Sequence, residues 1–200
     1  MSNFNEQLAP YLPEAALQYC SDLWQKYKFS LKISRPRATK LGDYRFHPET
    51  RAHHISVNSN LNRYAFLVTY LHEVAHLVTY QKYGRKAMPH GKEWKNNFKV
   101  LCLPVLNTTV FPDDLLRVLA SHLKNPKASS CNDHKLLAAL NKYDDKPVRL
   151  LAELHAGEVF TFGGRQFKKE TLRRTRYVCL ELKTGKRYLI SRSAGINEAS

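Results

Sequence analysis

Leu71-His72-Glu73-Val74-Ala75-His76 is the stretch whose reading decides the fold. On an α-helix residues i and i+4 share a face, so His72 and His76 present two imidazoles to one tetrahedral ion. Glu73, about 100° round the helix, reaches a water held on that ion. Zinc would bring the pKa of such a water toward about 7; Glu73 takes its proton, the hydroxide attacks a polarised carbonyl, and Glu73 passes the proton to the leaving amine. The flanking residues Tyr64, Ala65, Phe66, Leu67, Val68, Leu71, Val74, Ala75, Leu77 and Val78 are apolar nearly all round, which marks a buried helix. Without a metal, two histidines and a glutamate on such a helix would each need another partner. Independent draws from this composition still give H-E-x-x-H with a chance of about 2%, so the surroundings must decide.

Outward from the motif, Asn58, Ser59 or Asn60 is expected to cap its helix and Tyr83-Gly84 to end it. A catalytic zinc commonly takes three protein ligands and leaves the fourth position open. His90, just past Pro89, and Glu93, near the start of the next helix, compete for the third place; His90 is favoured. That next helix is expected from about Gly91 past Trp94, Phe98 and Leu101, and Trp94 and Phe98 are read as core residues that fix His90. Upstream, Pro13 opens a helix through Tyr27. Short β-prone runs follow at Ser30 to Arg35, Asp43 to His47 and His53 to Val57, the last two forming a hairpin over Pro48-Glu49-Thr50. His53 and His54 are read as strand residues on opposite faces, not as a ligand pair. Tyr80 is a candidate electrophile that packs as readily as it reaches the site, and the oxyanion stabiliser is left unassigned.

Three blocks together, His72-Glu73-Val74-Ala75-His76, Tyr83-Gly84-Arg85 and His90-Gly91-Lys92-Glu93-Trp94, resemble the active-site region of the SprT-like metallopeptidase family, the group that includes Spartan. The resemblance covers roughly Leu17 to Cys102. It implies a zincin-like domain with one catalytic zinc on His72, His76 and His90, and Glu73 as the base. It also implies proteolysis of proteins associated with DNA. The strand His54-Ile55-Ser56-Val57-Asn58 resembles the family segment before the motif helix, whose edge can align an extended substrate. Many relatives end in a four-cysteine zinc ribbon; here only Cys131 and Cys179 fall in that region, with His134 and His155 poorly spaced, so a second zinc is not expected.

The expected fold class is α+β: a zincin-like domain, a small sheet plus the H-E-x-x-H helix, over residues 1–124, a linker and helix over 125–146, and a small basic β-rich module over 147–200. Four scattered cysteines and no CxxC argue against a disulfide framework, and no apolar run of about 18 residues speaks for a membrane span. A cytoplasmic location is the expectation. The formal charge of +15 points to a polyanion as partner. From Phe160 to Ser200 ten basic residues face three acidic ones. Arg165, Lys168, Lys169, Arg173, Arg174 and Arg176 cluster there beside Phe160, Phe162, Phe167 and Tyr177, a pattern for non-specific DNA in which the charges meet phosphates and the rings serve the module's core. Arg35, Arg37, Lys40 and Arg45 would extend that track. The expected function is thus a zinc-dependent endopeptidase acting on protein substrates, DNA-associated ones above all. The alternative is a nucleic-acid-binding protein with a structural or vestigial zinc site.

Overall fold

The computed structural model describes residues 2–37, 40–127 and 133–198. It is a mixed α+β protein that divides into two compact units, 1–144 and 145–200. No described helix is long and apolar enough to cross a membrane.

The first unit opens with helices α1 (Ser2–Leu8) and α2 (Glu14–Tyr27). Pro13 sits just before α2, where its missing N–H costs nothing, and Lys28 ends it in the left-handed region at φ 48°. Strands β1 (Ser30–Ser34), β2 (Gly42–His47) and β3 (Ala52–Asn58) then form a sheet of order β1-β3-β2. The β2–β3 pair is the antiparallel hairpin expected, closing at His47 opposite Ala52, while β1 runs parallel to β3. In this order β3 is central, with both edges paired. The strand His54 to Asn58 therefore cannot align a substrate by its edge, as the sequence reading had it; the edges of this sheet are β1 and β2.

Helix α3 (Arg63–Tyr83) is the motif helix and the axis of the core. Phe66, Leu67, Leu71, Val74 and Leu77 are fully buried along it, against Ile55 and Val57 of β3 and the α2 residues Ala16 and Cys20. Its cap is Asn62, whose side chain accepts from the amides of Tyr64 and Ala65, not Asn58, Ser59 or Asn60. Asn58 is committed elsewhere: its buried side chain accepts from Arg37 Nε at 2.7 Å and donates to the carbonyls of Arg37 and Lys40. Helices α4 (Lys92–Cys102), α5 (Asp113–Lys124) and α6 (His134–Asn141) complete the unit. Asn62 also donates to Leu140 O of α6 and to Asp144 just beyond it, so the helix expected after the linker is tied to the motif helix. The Ser129-Ser130-Cys131 part of that expected linker lies outside the described residues.

In the second unit β4 (Arg149–Leu150), β5 (Val159–Phe162), β6 (Arg165–Arg173), β7 (Arg176–Glu181), β8 (Arg187–Ser191) and β9 (Gly195–Glu198) form one sheet of order β4-β9-β5-β6-β7-β8. The described pairings leave β4 and β8 as edges, so they do not close the barrel that the short β runs suggested. Its core is Leu151, Leu154, Phe160, Phe167, Cys179, Ile190 and Ile196.

Candidate metal centre and hydrolytic site

His72 and His76 stand one turn apart on α3, and His90 returns to them from the turn between α3 and α4. Gly84 ends α3 with its amide on Tyr80 O. His90 itself has φ 57°, a left-handed backbone that a residue with a β-carbon adopts only when its surroundings impose it. The turn is closed by the Gly91 amide on Met88 O at 2.9 Å, and a Cβ at Gly91 would lie 2.9 Å from that same carbonyl, so glycine is required there. His-Gly is therefore one device: the glycine permits the tight turn that throws the preceding imidazole back onto α3.

The three Nε2 atoms form a near-equilateral triangle, His72 to His76 at 3.2 Å, His76 to His90 at 3.0 Å and His72 to His90 at 3.2 Å. Mutual hydrogen bonds do not explain it, because a neutral imidazole carries one proton, directed along one line. A tetrahedral ion with metal–nitrogen bonds of about 2.0–2.1 Å has ligand edges of roughly 3.3 Å, which fits the donor set. Among the described residues this is the one group able to hold a metal ion. Burial, then the neighbouring histidines, depress His72 to about 2 and His76 to about 3, and burial lowers His90, so the trio stays neutral and ready to donate lone pairs.

Trp94 backs all three rings, with its centroid 4.6 Å from His72, 5.3 Å from His76 and 4.7 Å from His90, and it stacks on Phe98 at 5.1 Å. Both aromatics are buried, as a support for the ligands requires. A polar ladder holds α4 to α3: Lys82 Nζ donates to Asn97, Asn97 to Thr79 Oγ1, and Thr79 to Ala75 O.

Glu73 is 6% exposed. Burial, then Asp43, push its carboxyl up to about 8, against the opposing pull of Arg37 and Lys40. It lies against Gly42, where an added Cβ would stand 2.5 Å from Oε1. A cavity of about 350 Å³ opens over Glu73 and the histidines, lined also by Leu41 to Tyr44, Phe98 and His122.

The other expected residues fall elsewhere. Glu93 is no part of the triangle and turns toward its own helix start, with Oε2 near Gly91. His53 receives the Tyr44 hydroxyl contact at 2.9 Å and His54 meets Ser30 Oγ, so neither joins the site. Tyr80 packs on Phe46 at 4.6 Å. Gly42, Tyr44 and His122 were not found from sequence. Tyr44 lines the cavity with its ring parallel to His76, its hydroxyl pKa raised by burial and by Tyr80. In the second unit, Phe160 and Phe167 form core, and so does Lys169: it is 3% exposed, donates to Leu151 O and Leu154 O, and lies 3.8 Å over the Tyr177 ring. It is thus withdrawn from the basic cluster that sequence assigned it to.

A family model described as the SprT-like family matches residues 11–110, half of the chain. The chain belongs to the SprT-like family. It is similar to the Protein SprT of Vibrio parahaemolyticus, 51% identical over 49 residues that are 24% of this chain and 29% of that protein. To the Protein SprT of Salmonella newport it is 34% identical over 95 residues, 46% of this chain and 53% of the relative. The chain thus spans about half the length, or less, of these curated relatives. No solved structure matches it. The SprT-like stretch contains all three histidines, Glu73, Gly42 and Trp94, while His122, the second unit and its basic hairpin lie beyond it.

Proposed function

We propose that the SprT-like unit is a zinc-dependent endopeptidase. The observation that carries this reading is the Nε2 triangle of His72, His76 and His90 with the buried Glu73 carboxyl beside it, opening into one cavity. The three histidines would hold the ion. Zinc, once bound, supplies Lewis acidity, polarising a carbonyl oxygen and making water acidic near neutral pH. Glu73 is the group placed to take the water's proton, and the positive charge of an ion nearby favours the carboxylate form that burial opposes. The free edge of β2 borders the cavity from Leu41 to Tyr44, so an extended peptide could add to the sheet through main-chain hydrogen bonds and bring a carbonyl toward the ligands. That edge favours unfolded or extended protein segments as substrates over small molecules.

DNA-associated proteins are the proposed substrate class, supported by the charge of +15 and by the exposed Arg173, Arg174 and Arg176 at the β6–β7 turn. The test pairs metal analysis with digestion of β-casein. The expected results are one zinc per chain in wild type and in Glu73→Gln, with cleavage lost only in the variant. Wild-type turnover by Glu73→Gln would refute the mechanism.

A further inference from the structure

His122 is a buried, cavity-lining histidine that the chemistry above does not use. It comes from α5, beyond the stretch shared with the family, and its side chain is 3% exposed. It lines the cavity together with Phe98, whose ring meets both His122 and His72, while Glu73 lies against Gly42 of β2 in the same cavity. Its Nδ1 is 2.8 Å from Oδ2 of Asp133. Burial pushes the Asp133 carboxyl up, but the hydrogen bond from His122, the Leu136 amide and nearby charge outweigh it and hold it below the usual range. Asp133 is therefore ionised and acceptor-only, so Nδ1 carries the hydrogen, and Asp133 is itself fixed by capping α6 through the Lys135 and Leu136 amides. Among the described residues Nε2 has no hydrogen-bond partner. A His–Asp pair with one ring nitrogen anchored on the carboxylate, on a side chain that lines the cavity, is the arrangement of a proton carrier.

We propose that His122, oriented by Asp133, is a second acid–base residue of this site and delivers the proton to the leaving amine. The inference rests on the endopeptidase reading. In the step, Glu73 takes one proton from water as the oxygen bonds to the carbonyl carbon. The C–N bond then breaks with its electron pair on nitrogen, and that nitrogen takes the Nε2 proton of the His122 imidazolium. The imidazole is left neutral with Nδ1–H still on Asp133; Glu73 releases its proton to solvent and His122 regains one, so one water is consumed and no proton is left over. Two proton carriers lining one cavity serve the two ends of the reaction.

An amide nitrogen must be protonated to leave, whereas an ester oxygen leaves far more readily without it. A peptide cleaved by the wild type is therefore compared with its ester analogue at the same bond, in wild type, His122→Gln and Asp133→Asn, with zinc content and thermal melting measured on each. Glutamine can still donate to Asp133, which keeps α5 tied to the α6 cap. The expected result is a fall of about 10²-fold or more in peptide kcat for His122→Gln, ester turnover within a few-fold of wild type, zinc retained, and a smaller fall of the same amide-only pattern for Asp133→Asn. Peptide turnover at the wild-type rate in His122→Gln, or amide and ester rates falling together in both variants, overturns the proposal. Peptide turnover by Glu73→Gln at the wild-type rate is the separate signature of failure of the endopeptidase reading itself.

Discussion

Replacing Gly42 by alanine tests whether the Glu73 carboxylate, the proposed base, is placed by the strand beside it. The added Cβ would stand 2.5 Å from Oε1 of Glu73, some 0.9 Å inside an ordinary 3.4 Å contact, and 2.8 Å from both Glu73 Cγ and Thr69 Cγ2. Because Cγ is met as well as the carboxylate, turning the carboxylate about its last torsion does not relieve the overlap. The backbone is also held: Gly42 pairs with Val57, and the preceding carbonyl of Leu41 accepts from the Asn58 amide at 2.9 Å. The Glu73 side chain must therefore move by something under an ångström, and a misplacement of about 1 Å costs roughly 10²-fold in rate. The histidine triangle is not in the overlap, so metal content is expected to stay at the wild-type level. Overpacking of this kind costs about 1–3 kcal/mol of stability. The assay is kcat on a casein-derived peptide with zinc by elemental analysis and a denaturant melt on the same preparation. A Gly42→Ala protein with full zinc and kcat within twofold of wild type would refute the reasoning.

Four further outcomes are expected. His72→Ala, His76→Ala and His90→Ala each lose the metal while Glu93→Ala keeps it; the reverse behaviour of His90 and Glu93 in elemental analysis would reassign the third ligand. In metal-free protein, His72 and His76 at about 2 and about 3 stay neutral while the unfolded chain protonates them near 6.5, and Glu73 at about 8 keeps a proton that the unfolded chain loses near 4.5. At about 1.4 kcal/mol per proton per pH unit, the contribution of His72, His76 and Glu73 to stability rises by about 1.4 kcal/mol per unit from pH 4.5 to 6.5, where the unfolded chain binds one more of their protons, and falls at that slope from 6.5 to 8, where it binds one fewer; the lowered His90 steepens the rise below 6.5 and leaves the fall unchanged. Urea midpoints that climb steadily to pH 8 would contradict those assignments. Lys169→Met is expected to destabilise the second unit by about 1.5–3 kcal/mol through its lost charged hydrogen bonds and to leave DNA affinity unchanged. A triple Arg173, Arg174 and Arg176 to alanine change should flatten the salt dependence of DNA binding in a filter titration, and an unaltered salt slope would remove the hairpin as the contact.

What could be read from the sequence is what a few neighbouring residues decide among themselves. The i, i+4 histidines, the apolar run around them, the hairpin over Pro48-Glu49-Thr50 and the stop at Gly84 are short-range patterns, and each stands where periodicity put it. The misreadings begin where pairing is long-range. The parallel β1–β3 contact, which makes β3 central and frees the edge of β2, joins strands through the hairpin and has no local signature. Asn58 looked like a cap until the loop carbonyls of Arg37 and Lys40 claimed it. Lys169 did carry a usable signal: on β6 it shares a face with Phe167 two residues before, so burying that ring carries the lysine inward too, and counting charge along the run hid this. The site itself divides in the same way. The three histidines that could hold a metal sit within nineteen residues, from His72 to His90, and their grouping was legible. The site's walls include Gly42, thirty residues upstream, and His122, thirty-two residues downstream of His90 and held by Asp133, which no spacing rule connects to the motif. The motif thus suggests an ion and a base, while the placement of Glu73, and of His122 as the proposed acid, depends on contacts that exist only once the chain has folded around α3.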